Sequence, residues 1–125
     1  MKKIISTNNA PSAIGPYSQA VATGNMLFTS GQIAIDPSNG ELNMDSLDIE
    51  TKQVMNNLSA VLNEAGATFD NVVKTSIFLK DMNDFNAVNE IYASYFKGDY
   101  PARETVQVAK LPKDVNVEIS MIAQL

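Results

Sequence analysis

The sequence predicts an α+β sandwich, or an α/β arrangement of the same elements, with two helices on one face of a mixed sheet. Three observations predict it. Val115, Val117, Ile119, Met121 and Ala123 alternate with Asn116, Glu118, Ser120, Ile122 and Gln124, the period of two of a strand with one apolar face. Val54/Met55, Leu58, Val61/Leu62 and Ala65 recur at helical spacing. The segments also run in the order strand, strand, helix, strand, helix, strand, strand, which stacks helices against a sheet.

Residues 8–15 are rich in turn formers, with Pro11 and Gly15-Pro16 as breakers. Residues 17–22 read as a strand, Thr23-Gly24-Asn25 as a turn and residues 26–30 as the returning strand of a hairpin. Gly31 permits close backbone approach. Residues 32–35 continue the extended path, and residues 36–40, DPSNG, form a loop. Asp45 or Ser46 caps a long helix that runs to about Ala65, where Gly66 stops it. Residues 68–71 connect to residues 72–79, a nearly continuous apolar run that reads as a strand covered on both faces. Asn83 or Asp84 caps a second helix over residues 85–96. Its inner face is Val88, Ile91, Tyr92, Tyr95 and Phe96, and Gly98 ends it.

Two strands, residues 105–109 and 115–123, close the chain as an antiparallel hairpin about the turn Leu111-Pro112-Lys113-Asp114. In that pairing Thr105 opposes Ser120 and Gln107 opposes Glu118. Val106 and Val108 take the core parity, and Arg103, Thr105 and Gln107 share the other face with Glu118. Arg103 then lies roughly 10 Å from Glu118 on one face, a separation at which a cation and a carboxylate can hold a small anion between them. That face also carries Asn116, Ile122 and Ala109. A mixed second face of this kind is completed by oligomerisation.

Composition narrows the chemistry. The 125 residues fit one domain, 1–125, large enough for a core without staples. Charged residues make up 18%, a low share that agrees with surface buried between copies. The net charge of −5 disfavours a nucleic-acid partner. No apolar run is long enough to span a bilayer, so no membrane partner is expected. The N-terminus lacks the apolar core of a signal peptide, which makes the cytoplasm the expected location. The chain contains neither cysteine nor histidine. Thiolate nucleophiles, zinc–thiolate sites and Ser-His-Asp or Cys-His catalysis are excluded. Acid–base work falls to carboxylates, tyrosine, lysine or backbone.

Several blocks of residues carry a resemblance. They are 13–20 (AIGPYSQA), Ser30-Gly31-Gln32, Val88-Asn89-Glu90-Ile91-Tyr92, Pro101-Ala102-Arg103 with Thr105-Val106, and Leu111-Pro112-Lys113 with Val117-Glu118-Ile119. Together, in order and across nearly the whole chain, they resemble the RidA/YjgF family of imine deaminases. The resemblance implies a chorismate-mutase-like fold and a homotrimer, with three sheets lining a central barrel, helices outward and sites in the clefts between subunits. It implies hydrolysis of 2-enamino and 2-imino acids, chiefly 2-aminoacrylate and 2-aminocrotonate, to 2-oxo acids and ammonia, without a cofactor or metal. Carried over residue by residue, Arg103 matches the arginine that grips the substrate carboxylate, and Glu118 the glutamate that orients and activates water. Tyr17, Ser30 and Gly31 match pocket positions, and Asn89 a position near the cleft. Thr105 stands where the family often has cysteine, and its backbone carbonyl is the part that would hold the water. Glu104 departs from a position that is frequently small, and strand parity points its side chain away from Arg103.

These residue types suit that reaction. A planar guanidinium matches a carboxylate bidentately. An imine is electrophilic enough for plain water, and a partly desolvated glutamate has the raised pKa of a useful proton shuttle. The competing readings are structural. Arg103 and Glu118 would be interfacial or solvated charges, Tyr17 an ordinary strand aromatic, and Asn89 a helix or subunit contact. At the level of function the alternative is a regulator that binds a 2-oxo acid or amino acid without turnover. RNA cleavage or translation inhibition, attributed to some family members, is opposed by the acidic charge and the lack of a basic-aromatic stripe.

Overall fold

The computed structural model describes all of residues 1–125. Six strands form one sheet: β1 (Lys3–Ile5), β2 (Ala20–Thr23), β3 (Met26–Thr29), β4 (Val72–Leu79), β5 (Ala102–Gln107) and β6 (Val117–Gln124). Two helices, α1 (Leu47–Glu64) and α2 (Phe85–Ala93), pack on one face of it. The strand order is β1-β2-β3-β6-β4-β5, with β4 and β5 parallel and every other neighbour antiparallel. The expected mixed sheet with two helices on one side is therefore present.

Local chemistry explains the helix ends. The Ser46 hydroxyl accepts from the Ile49 N–H at 3.1 Å and caps α1. Past the last turn Gly66 takes φ +81°, and the N–H groups of Gly66 and Ala67 donate to the Asn63 and Leu62 carbonyls. That left-handed reversal, with Ala67 buried behind it, is why glycine stands there. α2 is shorter than the expected 85–96. Residues 94–96 continue as tight turns whose N–H groups bond three residues back, and Gly98 reverses the chain at φ +102°. Val54, Leu58, Val61, Leu62, Val88 and Tyr92 bury the helical faces against Leu27, Ile77, Leu79, Val117, Ile119 and Met121. Truncating one of the fully buried leucines, Leu58→Ala for instance, costs about 2–5 kcal/mol at a site of this kind.

Three expectations are corrected. β1 was not expected; only Ile5 of its three residues is buried, so its pattern is short and weak. β2 starts at Ala20, because the chain bends at residues 15, 16 and 19, with the Tyr17 N–H on the Gly15 carbonyl at 2.9 Å. The largest correction concerns the terminal pair. β5 and β6 do not form a hairpin, since β4 lies between them. The segment from β4 through α2 to β5 is long enough for a parallel crossover. The Val108 N–H then bonds Leu79 and the Lys80 N–H bonds Asn116, so the chain leaves β5 on one side of the end of β4 and returns on the other. Leu111 and Val115 are buried in this connection rather than exposed at a turn tip.

This topology reverses the parity expected for β5. Thr75 is level with both Arg103 and Met121, and Phe78 is level with both Val106 and Glu118. Arg103, Thr105 and Gln107 thus share the helix face, and Glu104 and Val106 the opposite one. That opposite face runs through Ile4, Val21, Phe28, Ile122, Phe78 and Val106, interrupted by Lys74, Ser76, Glu104, Glu118 and Ser120. Ile4, Phe28 and Val106 are 51%, 44% and 41% exposed, so a single copy leaves uncovered the second face of β4 that its apolar run led one to expect buried. No helix is long and apolar enough to cross a membrane.

Candidate active site

Glu118 sits on β6, flanked by β4 on one side and β3 with residue Gln32 on the other. The Gln32 N–H donates to the Ile119 carbonyl at 2.8 Å and the Ile119 N–H returns the bond at 3.1 Å. This exchange brings Gly31 under the Glu118 carboxyl. A Cβ on Gly31 would stand 2.5 Å from Glu118 Oε2, so only glycine fits without displacing the acid. Glu118 is half-buried, and desolvation pushes its pKa above the ordinary carboxylate value of 4.5.

Tyr17, Ser30, Gly31 and Glu118 line one cavity of about 590 Å³, with Ile14, Ile33 and Lys113 among its walls. Ser30 donates its hydroxyl hydrogen to the Ser18 carbonyl at 2.5 Å. Its lone pairs remain, so toward a ligand Ser30 is an acceptor. Two buried amides that sequence reasoning did not single out build the walls. Gln19 ties the N-terminal loop, donating to the carbonyls of Thr7, Ala10 and Pro11 and accepting from the Thr7 N–H. Asn57 donates to the carbonyls of Ile33 and Ile35 at 3.1 and 2.9 Å. A polar residue within an otherwise apolar helix stripe was the signal available for Asn57.

Arg103 lies elsewhere. It is on β5, the outer strand of the sheet, and its guanidinium sits 5.5 Å from the Phe85 ring and 5.2 Å from the Tyr92 ring. Its Nη1 donates to Asn89 Oδ1 at 2.6 Å. Phe85, Asn89 and Tyr92 are spaced i, i+4 and i+7 along α2, one helical face that brackets the cation. The Tyr92 hydroxyl donates to Thr75 Oγ1 at 3.0 Å, and burial pushes its pKa up. Asn89, Tyr92, Ala93, Tyr100, Pro101 and Arg103 line a second cavity of about 400 Å³.

The expected single-face pair of Arg103 and Glu118 is therefore overturned. Their strand rows have opposite parity, and neither of these two cavities is lined by both. Thr105 follows Arg103 onto the helix face, where its Oγ1 is buried without a partner, and it lines neither cavity. Glu104 does point away from Arg103. It pairs with Lys74 at 3.0 Å and accepts from Ser76, and these contacts, the Ser76 hydrogen bond first, hold its pKa down. The structure brings Tyr17, Ser30, Gly31 and Glu118 together, and Asn89 with Arg103, as two separate groups.

A helix-backed sheet with an acidic cleft on one face and an anchored guanidinium on the other defines a small α+β protein with two polar half-sites. Residues 7–125 match the family described as Endoribonuclease L-PSP. The chain belongs to that family, which is also the RidA/YjgF family. It is 52% identical over 123 residues to the mouse 2-iminobutanoate/2-iminopropanoate deaminase, covering 98% of this chain and 91% of the mouse protein. Other relatives near 50% identity, in two Pyrococcus species, are named only as RutC family proteins. Among solved structures, a conserved Rid family protein of Yersinia pestis matches with TM-score 0.98 and 51% identity over all of both chains. Escherichia coli TdcF with bound serine matches with TM-score 0.94 and 43% identity over 98% of each.

Proposed function

We propose that the protein hydrolyses reactive 2-enamino and 2-imino acids to 2-oxo acids and ammonia, in sites completed by a second copy of the chain. The observation that carries this reading is the division of the site. One cavity holds the acid, the acceptor hydroxyl and the glycine floor, and the other holds the anion grip. Neither suffices alone, and the uncovered sheet face with its exposed Ile4, Phe28 and Val106 supplies the surface for assembly. Burial of that face in a closed ring of three is the arrangement proposed.

In the combined site, Arg103 of one copy takes the substrate carboxylate through the edge of its fork not held by Asn89. Glu118 of the other copy takes a proton from water as the oxygen adds to the imine carbon and passes it to the nitrogen, which leaves a neutral carbinolamine and restores the carboxylate. The tetrahedral carbinolamine then collapses. Glu118 takes its hydroxyl proton and delivers it to the amine nitrogen, the C–N bond breaks, and ammonia departs beside the lone pairs of Ser30, giving the 2-oxo acid. An enamine substrate first takes a proton on carbon and gives one up from nitrogen to become the imine. The half-buried setting of Glu118 makes it a stronger base near neutrality than an exposed carboxylate. The mouse relative's name supports the substrate class.

The test is ammonia release from 2-aminoacrylate generated in place by a serine dehydratase. The parent should speed its disappearance, and Glu118→Gln should not. Equal rates for the two would end the catalytic reading. A second reading, a binder of a small amino acid or 2-oxo acid without turnover, draws on the serine bound to the E. coli relative. It predicts binding lost in Arg103→Ala, binding kept in Glu118→Gln, and no ammonia from either.

A further inference from the structure

Glu50 is fully buried in the first turns of α1, and neither of the chain's two salt bridges involves it. A carboxylate taken out of water without a cation costs several kcal/mol unless hydrogen bonds satisfy it. Here they do, and all three reach across the core to one place. Oε2 accepts from the backbone N–H of Asn116 at 2.8 Å and of Val117 at 3.3 Å, and Oε1 accepts from the Asn116 side-chain amide at 2.7 Å. The Glu50 N–H donates to the Ser46 carbonyl at 2.9 Å, so the capped helix start holds the acid itself in place.

The residues so gripped are those where β6 begins, immediately before Glu118. On the other side of the same point the Lys80 N–H holds the Asn116 carbonyl at 2.9 Å. A strand that slips by one residue turns every side chain to its other face. For β6 that slip would carry Glu118 from above Gly31 into the helix-covered core and bring Val117 or Ile119 into the cavity. The apolar alternation of β6 resists the slip, but it does not fix where the strand's first residues sit along the cavity. A buried polar group that recognises two successive N–H groups does fix it, and setting register is the best-attested use of such groups.

We infer that Glu50 is a positioning residue, which keys the start of β6 and thereby delivers Glu118 over Gly31. The inference rests on the proposed role of Glu118, and the experiment separates the two. Steady-state constants, the pH profile of kcat and the melting temperature are measured for the parent, Glu118→Gln, Glu50→Met, Glu50→Gln and Asn116→Ala, all as the assembled protein. In Glu50→Met, kcat should fall at least about tenfold while KM stays within about threefold, since Arg103 is held by α2. The acid limb of kcat should move to lower pH as Glu118 gains water, a change that a merely less stable fold would not produce. Glu50→Gln should keep kcat within about twofold, because its carbonyl can accept from both backbone N–H groups and the Asn116 amide can turn to accept from its nitrogen. Asn116→Ala removes one bond of three and should lose about threefold in kcat.

A folded Glu50→Met with parental kcat and acid limb would overturn the inference, as would a Glu50→Gln as slow as Glu50→Met. Should Glu50→Met not fold, Asn116→Ala decides. Parental kcat and acid limb there overturn the inference, and the stated loss supports it. Full activity of Glu118→Gln would remove the role of Glu118 itself, and with it the basis for the inference, whatever the Glu50 variants do.

Discussion

The two halves of the candidate site are built in different ways. Glu118 is on an interior strand, and its surroundings are fixed mainly by backbone: the Gln32–Ile119 exchange, the glycine floor and the carbonyls held by Gln19 and Asn57. Arg103 is on the outermost strand, and its surroundings are side chains of one helix, two rings and an amide. The difference matches what the proposed reaction asks of each group. An acid that moves a proton needs a set distance and a dry setting, which an interior strand supplies. A guanidinium that meets an arriving anion needs exposure and a fixed plane, which an edge strand with stacked rings supplies.

Breaking the edge half should give the largest effect. Arg103→Ala removes the only anion grip proposed and should raise KM by at least about a hundredfold, roughly 3 kcal/mol. Arg103→Lys should recover only part of it, because an ammonium cannot stack or fork. Titrating a 2-oxo acid into each variant checks binding directly. Breaking the interior half should act on kcat instead. Glu118→Gln should lower kcat by about a hundredfold or more with KM little changed, and Gly31→Ala should fall in the same direction by displacing the acid.

Smaller effects sharpen the contrast. Phe85→Leu or Asn89→Ala should loosen Arg103 and raise KM by about three- to tenfold, leaving the pH profile alone. Because burial raises the Glu118 pKa above 4.5, parental kcat should fall as pH drops through that raised value, where the base is protonated. Stability should show the opposite dependence. A carboxyl whose folded pKa lies above its unfolded one contributes least once pH exceeds the folded value, and its penalty disappears below the unfolded value. Glu118→Gln should therefore melt higher than the parent at pH 7 and no higher near pH 3, as thermal scans at the two pH values will show.

Both helices and most strands were legible in the sequence because period and punctuation agree there. Ser46, the stripe from Val54 to Ala65 and Gly66 mark one helix at both ends. The partner of β5 was not legible. Residues 105–109 and 115–123 have the same local pattern whether they pair directly or flank another strand, and only buried Leu111 and Val115 mark the connection as a crossing. That one error placed Arg103 on the wrong face and merged two half-sites into one. Glu118 and Arg103 themselves stood out as charges in otherwise well-patterned strands. Gln19, Glu50 and Asn57 did not, since a polar side chain reads as solvent-facing until the fold shows which N–H or carbonyl it meets.

The central claim is that the acid and the arginine of one working site come from different copies, and mixing tests it most directly. Arg103→Ala and Glu118→Gln, each expected to be about a hundredfold or more slower than the parent when substrate is held below the parental KM, are unfolded together in equal amounts and reassembled. If copies assort at random, about one site in four combines an intact arginine with an intact glutamate, so about a quarter of parental activity should return. If no activity returns, although the mixed assembly forms with the same mass as the parent, the two residues work within one chain and the account is wrong.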